Sequence, residues 1–148
     1  MLRGKTSSGA GSVRPRAFVA PLGVWVLMAL CAVLNGVFRE LVLVSRMGDA
    51  VGHVVSTFLL LAVILAISWL YFANAAIDYS RAELVLVGVV WTVLTVGFEF
   101  LVGYVEGVSI EVTLAQYDVF AGRIWVLVPL TLLLAPLLFG RVLTVRRR

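Results

Sequence analysis

Four long apolar runs constrain this chain more than any other feature: Phe18–Phe38, Val51–Ala73, Leu84–Tyr104 and Ile124–Phe139. Each is close to the roughly 20 residues that a helix needs to cross about 30 Å of hydrocarbon. The runs are continuous rather than alternating, which excludes a hydrated β-barrel. Charged residues make up 14% of the chain and hydrophobic ones 62%, whereas a soluble domain carries roughly 25% charged residues. The expected fold is therefore all-α, a membrane-embedded four-helix bundle. One four-span domain covers residues 17–143, between a Gly/Ser-rich basic leader at 1–16, read as disordered, and a basic tail at 144–148.

The placement of charge sets the expected topology. Arg3, Lys5, Arg14 and Arg16 precede the first run, and Arg141, Arg146, Arg147 and Arg148 follow the last. Basic residues gather on the cytoplasmic side of membrane helices, so both termini are expected there, and an even number of spans is required. The same tails would meet anionic lipid headgroups. A nucleic-acid partner is not expected, because the net charge of +4 sits at the two ends rather than on one surface. A signal peptide is the rival reading of the first run, but the run is too long and no small-x-small cleavage site follows it. The single cysteine, Cys31, excludes an intrachain disulfide.

With that topology the polar residues converge on the outer half. Asn35, Arg39 and Glu40 end the first span. His53, Ser56 and Thr57 begin the second. Thr92, Thr95 and Glu99 form a stripe on the third, which closes at Tyr104, and Tyr117, Asp118 and Arg123 precede the fourth. Steps of three and four residues place each set on one helical face. The inner half looks almost free of polar groups. Glu99 is the sharpest position: an acid inside a span is by default a functional residue. Its expected partner is Arg39 or Arg123, either as a tie between helices or as part of a site in which guanidinium groups hold an anion.

Several other features bear on the site. His53 could shuttle protons or bond a loop carbonyl. It has no second histidine beside it, so no metal or cofactor is expected. Trp69, Tyr71 and Phe72, and Phe120 and Trp125, read as aromatic belts. Pro129 is expected to kink the fourth span. Gly48-x-x-x-Gly52 and Gly103-x-x-x-Gly107 have small-xxx-small spacing at helix ends. Ser109–Tyr117 alternates apolar and polar residues and reads as an extended or interfacial segment that could cover the outer mouth.

Four short segments, Asn35-Gly36-Val37-Phe38-Arg39-Glu40, Gly52-His53-Val54-Val55-Ser56-Thr57, Phe98-Glu99-Phe100 and Tyr117-Asp118 with Gly122-Arg123-Ile124-Trp125, resemble a family of small bacterial four-helix membrane proteins. The resemblance implies a multi-pass protein of the bacterial inner membrane and supplies no activity. Three functions then compete. The first is binding or transport of a small polar or anionic ligand in the outer cluster. The second is a structural or assembly subunit, alone as a homo-oligomer or within a membrane complex, whose charges only tie helices together. The third is a membrane enzyme acting on lipid or quinone, which the lack of a cofactor or metal motif disfavours. A cavity of several hundred cubic ångströms would favour the first, and a fully bonded, filled network the second.

Overall fold

The structure, a computed structural model, describes residues 13–146, with side chains to residue 143. Most of the leader lies outside the described residues, as do Arg3, Lys5, Arg147, Arg148 and the side chain of Arg146. Every described regular element is helical. A short 3-10 turn at Pro15–Phe18 leads into α1 (Val19–Phe38), which continues through a π-helical stretch (Arg39–Val44) into α2 (Ser45–Met47). Then follow α3 (Asp49–Asn74), α4 (Arg81–Val105), α5 (Ile110–Ala115) and α6 (Leu127–Arg146).

Three helical segments, Pro15–Met47, Asp49–Asn74 and Arg81–Val105, are long and apolar enough to cross a membrane, and a shorter apolar helix covers Leu127–Leu143. The boundaries differ from the sequence reading in three places, each for a local reason. No loop follows Phe38, since nothing between Phe38 and Met47 breaks a helix. The first residue that does is Gly48, whose φ of +82° reverses the chain, a conformation that favours glycine. Arg39 and Glu40 therefore stand on the helix rather than in a loop. Ser109–Tyr117 is not extended. Ser109 accepts a hydrogen bond from the Val112 amide at 3.4 Å and starts the one-and-a-half-turn helix α5. The fourth helix begins at Leu127 rather than Ile124, which puts Pro129 in its first turn, where a missing amide donor costs nothing. Pro136 is the proline inside that helix.

Packing centres on α6, which lies between α3 and α4. Leu60, Ile64, Phe72, Leu84, Trp91 and Leu132 form the centre of the core. The seam between α4 and α6 is close enough to need a glycine. A Cβ built on Gly88 would stand 2.4 Å from the Leu133 carbonyl oxygen. One turn on, the Thr92 hydroxyl donates to the Gly88 carbonyl at 2.8 Å and to the Pro129 carbonyl at 3.2 Å. Thr92 thus belongs to this seam. Helix α1 packs on α3 and touches α4 far less. Of the two glycine pairs, Gly48 and Gly107 are turn residues with positive φ. Gly52 lets α3 approach the backbone of Val44, and Gly103 lets α4 approach Thr113 of α5.

The seam sets a paired expectation for thermal unfolding in detergent. Gly88→Ala should destabilise the protein by about 1–3 kcal/mol, because the added carbon meets backbone that cannot turn aside. Gly97→Ala, on the same helix with nothing within 4 Å of the new carbon, should be neutral or gain up to about 1 kcal/mol from helix propensity. Equal losses at both positions would contradict the close approach.

Candidate functional site

The two ends of α4 treat their carboxylates differently. At its start, Ser80 and Glu83 form a capping box: the Ser80 hydroxyl accepts from the Glu83 amide at 3.2 Å, and the Glu83 carboxylate accepts from the Ser80 amide at 2.9 Å. Glu83 is fully buried. Arg14 reaches it from the other end of the chain, with Nε 2.9 Å from Oε1, Nη2 2.9 Å from Oε2 and its own amide 3.1 Å from Oε1. A bidentate guanidinium contact of this kind is geometrically specific as well as strong. Arg14 Nη2 also donates to the Asp78 carbonyl at 2.7 Å. Nearby, the Tyr71 and Tyr79 hydroxyls bond each other, and Tyr79 donates to the Ala17 carbonyl at 3.1 Å. The hydrogen bond to Glu83 raises the Arg14 pKa, and burial raises that of the Tyr79 phenol. This end, expected to be nearly free of polar groups, is thus a hydrogen-bonded network around the buried Glu83, with Arg14 half exposed. The Ser-x-x-Glu spacing was the sequence signal that could have revealed it. Phe72 is buried in this packing and Tyr71 is partly buried against it, whereas Trp69 remains 49% exposed.

Further along, two indoles tie α1 to α4. Trp91 Nε1 donates to the Pro21 carbonyl at 2.8 Å, and Trp25 Nε1 donates to the Thr95 hydroxyl at 2.9 Å. Beyond Thr95 no hydrogen bond joins the two helices among the described residues, and a cavity of about 700 Å³ opens between them. Its depth is apolar, with Met28, Ala32, Leu60, Ile64, Val128 and Leu132. Its mouth carries Arg39, Glu40, His53, Glu99, Glu106 and Gln116. Helix α5 lies across that mouth through Val112 and Thr113, the covering position read for this segment.

Glu99 stands on the cavity wall, and its partners correct the expected ones. Tyr117 Oη donates to Oε2 and Trp125 Nε1 to Oε1. No arginine bonds Glu99 among the described residues. Arg39 is bound instead to its neighbour Glu40, with Nε 3.0 Å and Nη2 2.9 Å from Oε1. Arg123 is exposed and does not line the cavity. Trp125 is thus a donor to the Glu99 carboxylate, while Phe120 is fully exposed. Burial, and then the bond to Glu99, push the Tyr117 phenol well above its ordinary range, so Tyr117 remains a donor at physiological pH.

The other sequence candidates divide clearly. His53 and Thr95 line the cavity with Glu99 and Tyr117. The His53 ring lies 6.2 Å from that of Trp125, and its buried Nε2 has no hydrogen-bond partner. Ser56 and Thr57 are fully buried and bond back to the His53 carbonyl at 3.2 and 2.8 Å. Asn35 donates to the Ser56 carbonyl at 3.1 Å and joins α1 to α3. Tyr104 is 82% exposed and points away. Asp118 caps the turn at Val119–Ala121 through the Phe120 and Ala121 amides at 3.0 and 3.2 Å. Sequence reasoning did not place Trp25, Trp125, Glu106 or Gln116 in the site, though all four line the cavity. Among the described residues no group of three His, Cys, Asp or Glu side chains could hold a metal. No protein-family model, curated protein or solved structure matches the chain.

The Glu99 contacts set a double-mutant cycle. Tyr117→Phe should cost about 1.5–3 kcal/mol of stability, the range for a hydrogen bond to a charged group. Combined with Glu99→Gln, the losses should fall short of additivity by about 0.5–3 kcal/mol. Strict additivity would show that the phenol and the carboxylate are not coupled.

Proposed function

We propose that this is a multi-pass membrane protein that binds, and in one form of the reading carries, a small ligand with a polar head in the cavity between α1 and α4. Membrane embedding is supported by the three long apolar helices and by the large side chains they leave uncovered, among them Leu30, Leu34, Phe58, Val93 and Leu101. In water so much exposed apolar surface would drive association. In this reading the shorter helix α6 completes four spans, both termini are cytoplasmic, and Glu99 lies in the outer half. Placement in a bacterial inner membrane rests on the motif resemblance alone.

The observation that carries the ligand reading is the cavity itself. About 700 Å³ is within the 300–1,000 Å³ range of small-molecule sites. The cavity combines an apolar depth with few, convergent polar groups at its mouth. Two of these are already prepared: Glu99 is oriented by two donors, and His53 offers an unused nitrogen. A purely structural role would call for a filled network such as the one around Glu83. A second reading has one support, the slight contact of α1 with α4: the cleft would then seat a helix of a second copy or of a membrane partner.

Native mass spectrometry from membrane nanodiscs separates the two. The wild-type protein should carry a small-molecule adduct that Gly36→Phe removes. Gly36 lines the cavity, and a carbon added there meets nothing within 4 Å, so a larger side chain starts from open space at the cavity wall. Loss of a dimer or of a partner chain in the variant would support the second reading. Identical adducts in both proteins, or none in either, would overturn the ligand reading.

A further inference from the structure

With its carboxylates ionised, the groups that line the cavity do not balance in charge. This inference rests on the cavity being a ligand site, and it concerns the kind of ligand. The charged lining side chains are Arg39, Glu40, Glu99 and Glu106, one cation against three carboxylates, with His53 taken as neutral at pH 7. Arg39 is engaged by Glu40. Glu106 is exposed at the end of α4, where water screens it. Glu99 lies six residues before the last residue of that helix, about 9 Å further in at about 1.5 Å per residue.

Its two partners are neutral donors. They fix the direction of the carboxylate and add no positive charge. Even a carboxylate partly withdrawn from water gains from a cation, and for the fully buried Glu83 the protein supplies one. At Glu99 it does not, although Arg39 lines the same cavity.

The remaining walls say what sort of cation fits. Trp25 and Phe98 meet edge to face with centroids 6.4 Å apart, and Tyr117 and Trp125 flank the carboxylate. Aromatic faces attract organic cations. Beside them the walls from α1, α3 and α6 add hydrocarbon and the Met28 thioether, which would suit an apolar body and gives nothing to a hydrated inorganic ion that needs several oxygen ligands. We infer that the cavity takes a lipophilic organic cation, with its positive head against Glu99 and its hydrocarbon in the space between α1, α3 and α6.

The test compares ions of one shape and opposite charge on the wild-type protein in zwitterionic nanodiscs, with empty nanodiscs as background. Tetraphenylphosphonium should bind saturably, read by equilibrium dialysis and tryptophan quenching, while tetraphenylborate should show only the partitioning seen without protein. Glu99→Gln should weaken the cation by about tenfold or more, equivalent to about 1.4 kcal/mol. Glu111→Gln, an exposed change outside the cavity lining, should not weaken it. Should Glu99→Gln fail to fold, the cation–anion comparison on the wild type still decides. Equal binding of both ions, or undiminished cation binding in Glu99→Gln, overturns the inference. Saturable binding of the borate, or of neutral triphenylmethanol, that Gly36→Phe blocks and the cation does not share, would keep the cavity as a ligand site and remove the cation. No saturable binding of any of the three would remove both.

Discussion

A carboxylate taken out of water must be given partners, and on one helix this chain does so in two ways, for the fully buried Glu83 and for the half-buried Glu99. At the start of α4, Glu83 receives a guanidinium, two backbone amides and a complete burial. That contact holds residue 14 against residue 83, so the entry to α1 is fixed to the start of α4. The Trp91 and Trp25 indoles extend the attachment along both helices as far as Thr95. Past that point α1 leans on α3, through Asn35 and the close approach of Gly52 to Val44, and α4 stays with α6. The separation of the two helices leaves the cavity.

Glu99 lies where the helices part. Its donors come from neither α1 nor α3 but from the segment between α5 and α6. The polar wall of the cavity is therefore assembled by a chain reversal, with Asp118 capping the turn that follows Tyr117. The π-helical stretch at Arg39–Val44 contributes to the same end, since it places Arg39 and Glu40 at the mouth. Extra residues of this type within helices are frequent at functional sites. One end of the molecule is tied by the Arg14–Glu83 contact, and the other is open with its polar groups only partly engaged.

The apolar segments were legible in the sequence because continuous hydrophobic runs of about 20 residues have few structural alternatives. Boundaries were less legible. Arg39, Glu40 and Arg46 suggested a loop by their charge, yet helix termination is decided by backbone, and the first backbone break is Gly48. Of the residues grouped from the sequence, Arg39, Glu40, His53, Thr95, Glu99 and Tyr117 line one cavity. The spacing rules could not say which side chains would be consumed within a helix, as Ser56 and Thr57 are by the His53 carbonyl. The Arg14–Glu83 contact spans 69 residues, and only the capping-box spacing hinted at its acid partner. Trp125 was read by its amphipathic body as a belt residue, whereas its indole N–H found a carboxylate. Charge suggested arginine for Glu99, but an adjacent glutamate occupies Arg39 first.

The account turns on Glu99 being held by neutral donors in an open cavity. Indole N–H resonances give the most direct measurement. The chain has four tryptophans, so a ¹⁵N–¹H spectrum in lipid nanodiscs, assigned by single Trp→Phe substitutions, contains four indole signals. Glu99→Gln should shift the Trp125 signal towards that of a weaker hydrogen bond and leave those of Trp25, Trp69 and Trp91 nearly in place. A Trp125 signal unchanged by the substitution, while the Arg39 or Arg123 guanidinium signals move, would show that an arginine holds Glu99 and would contradict the account.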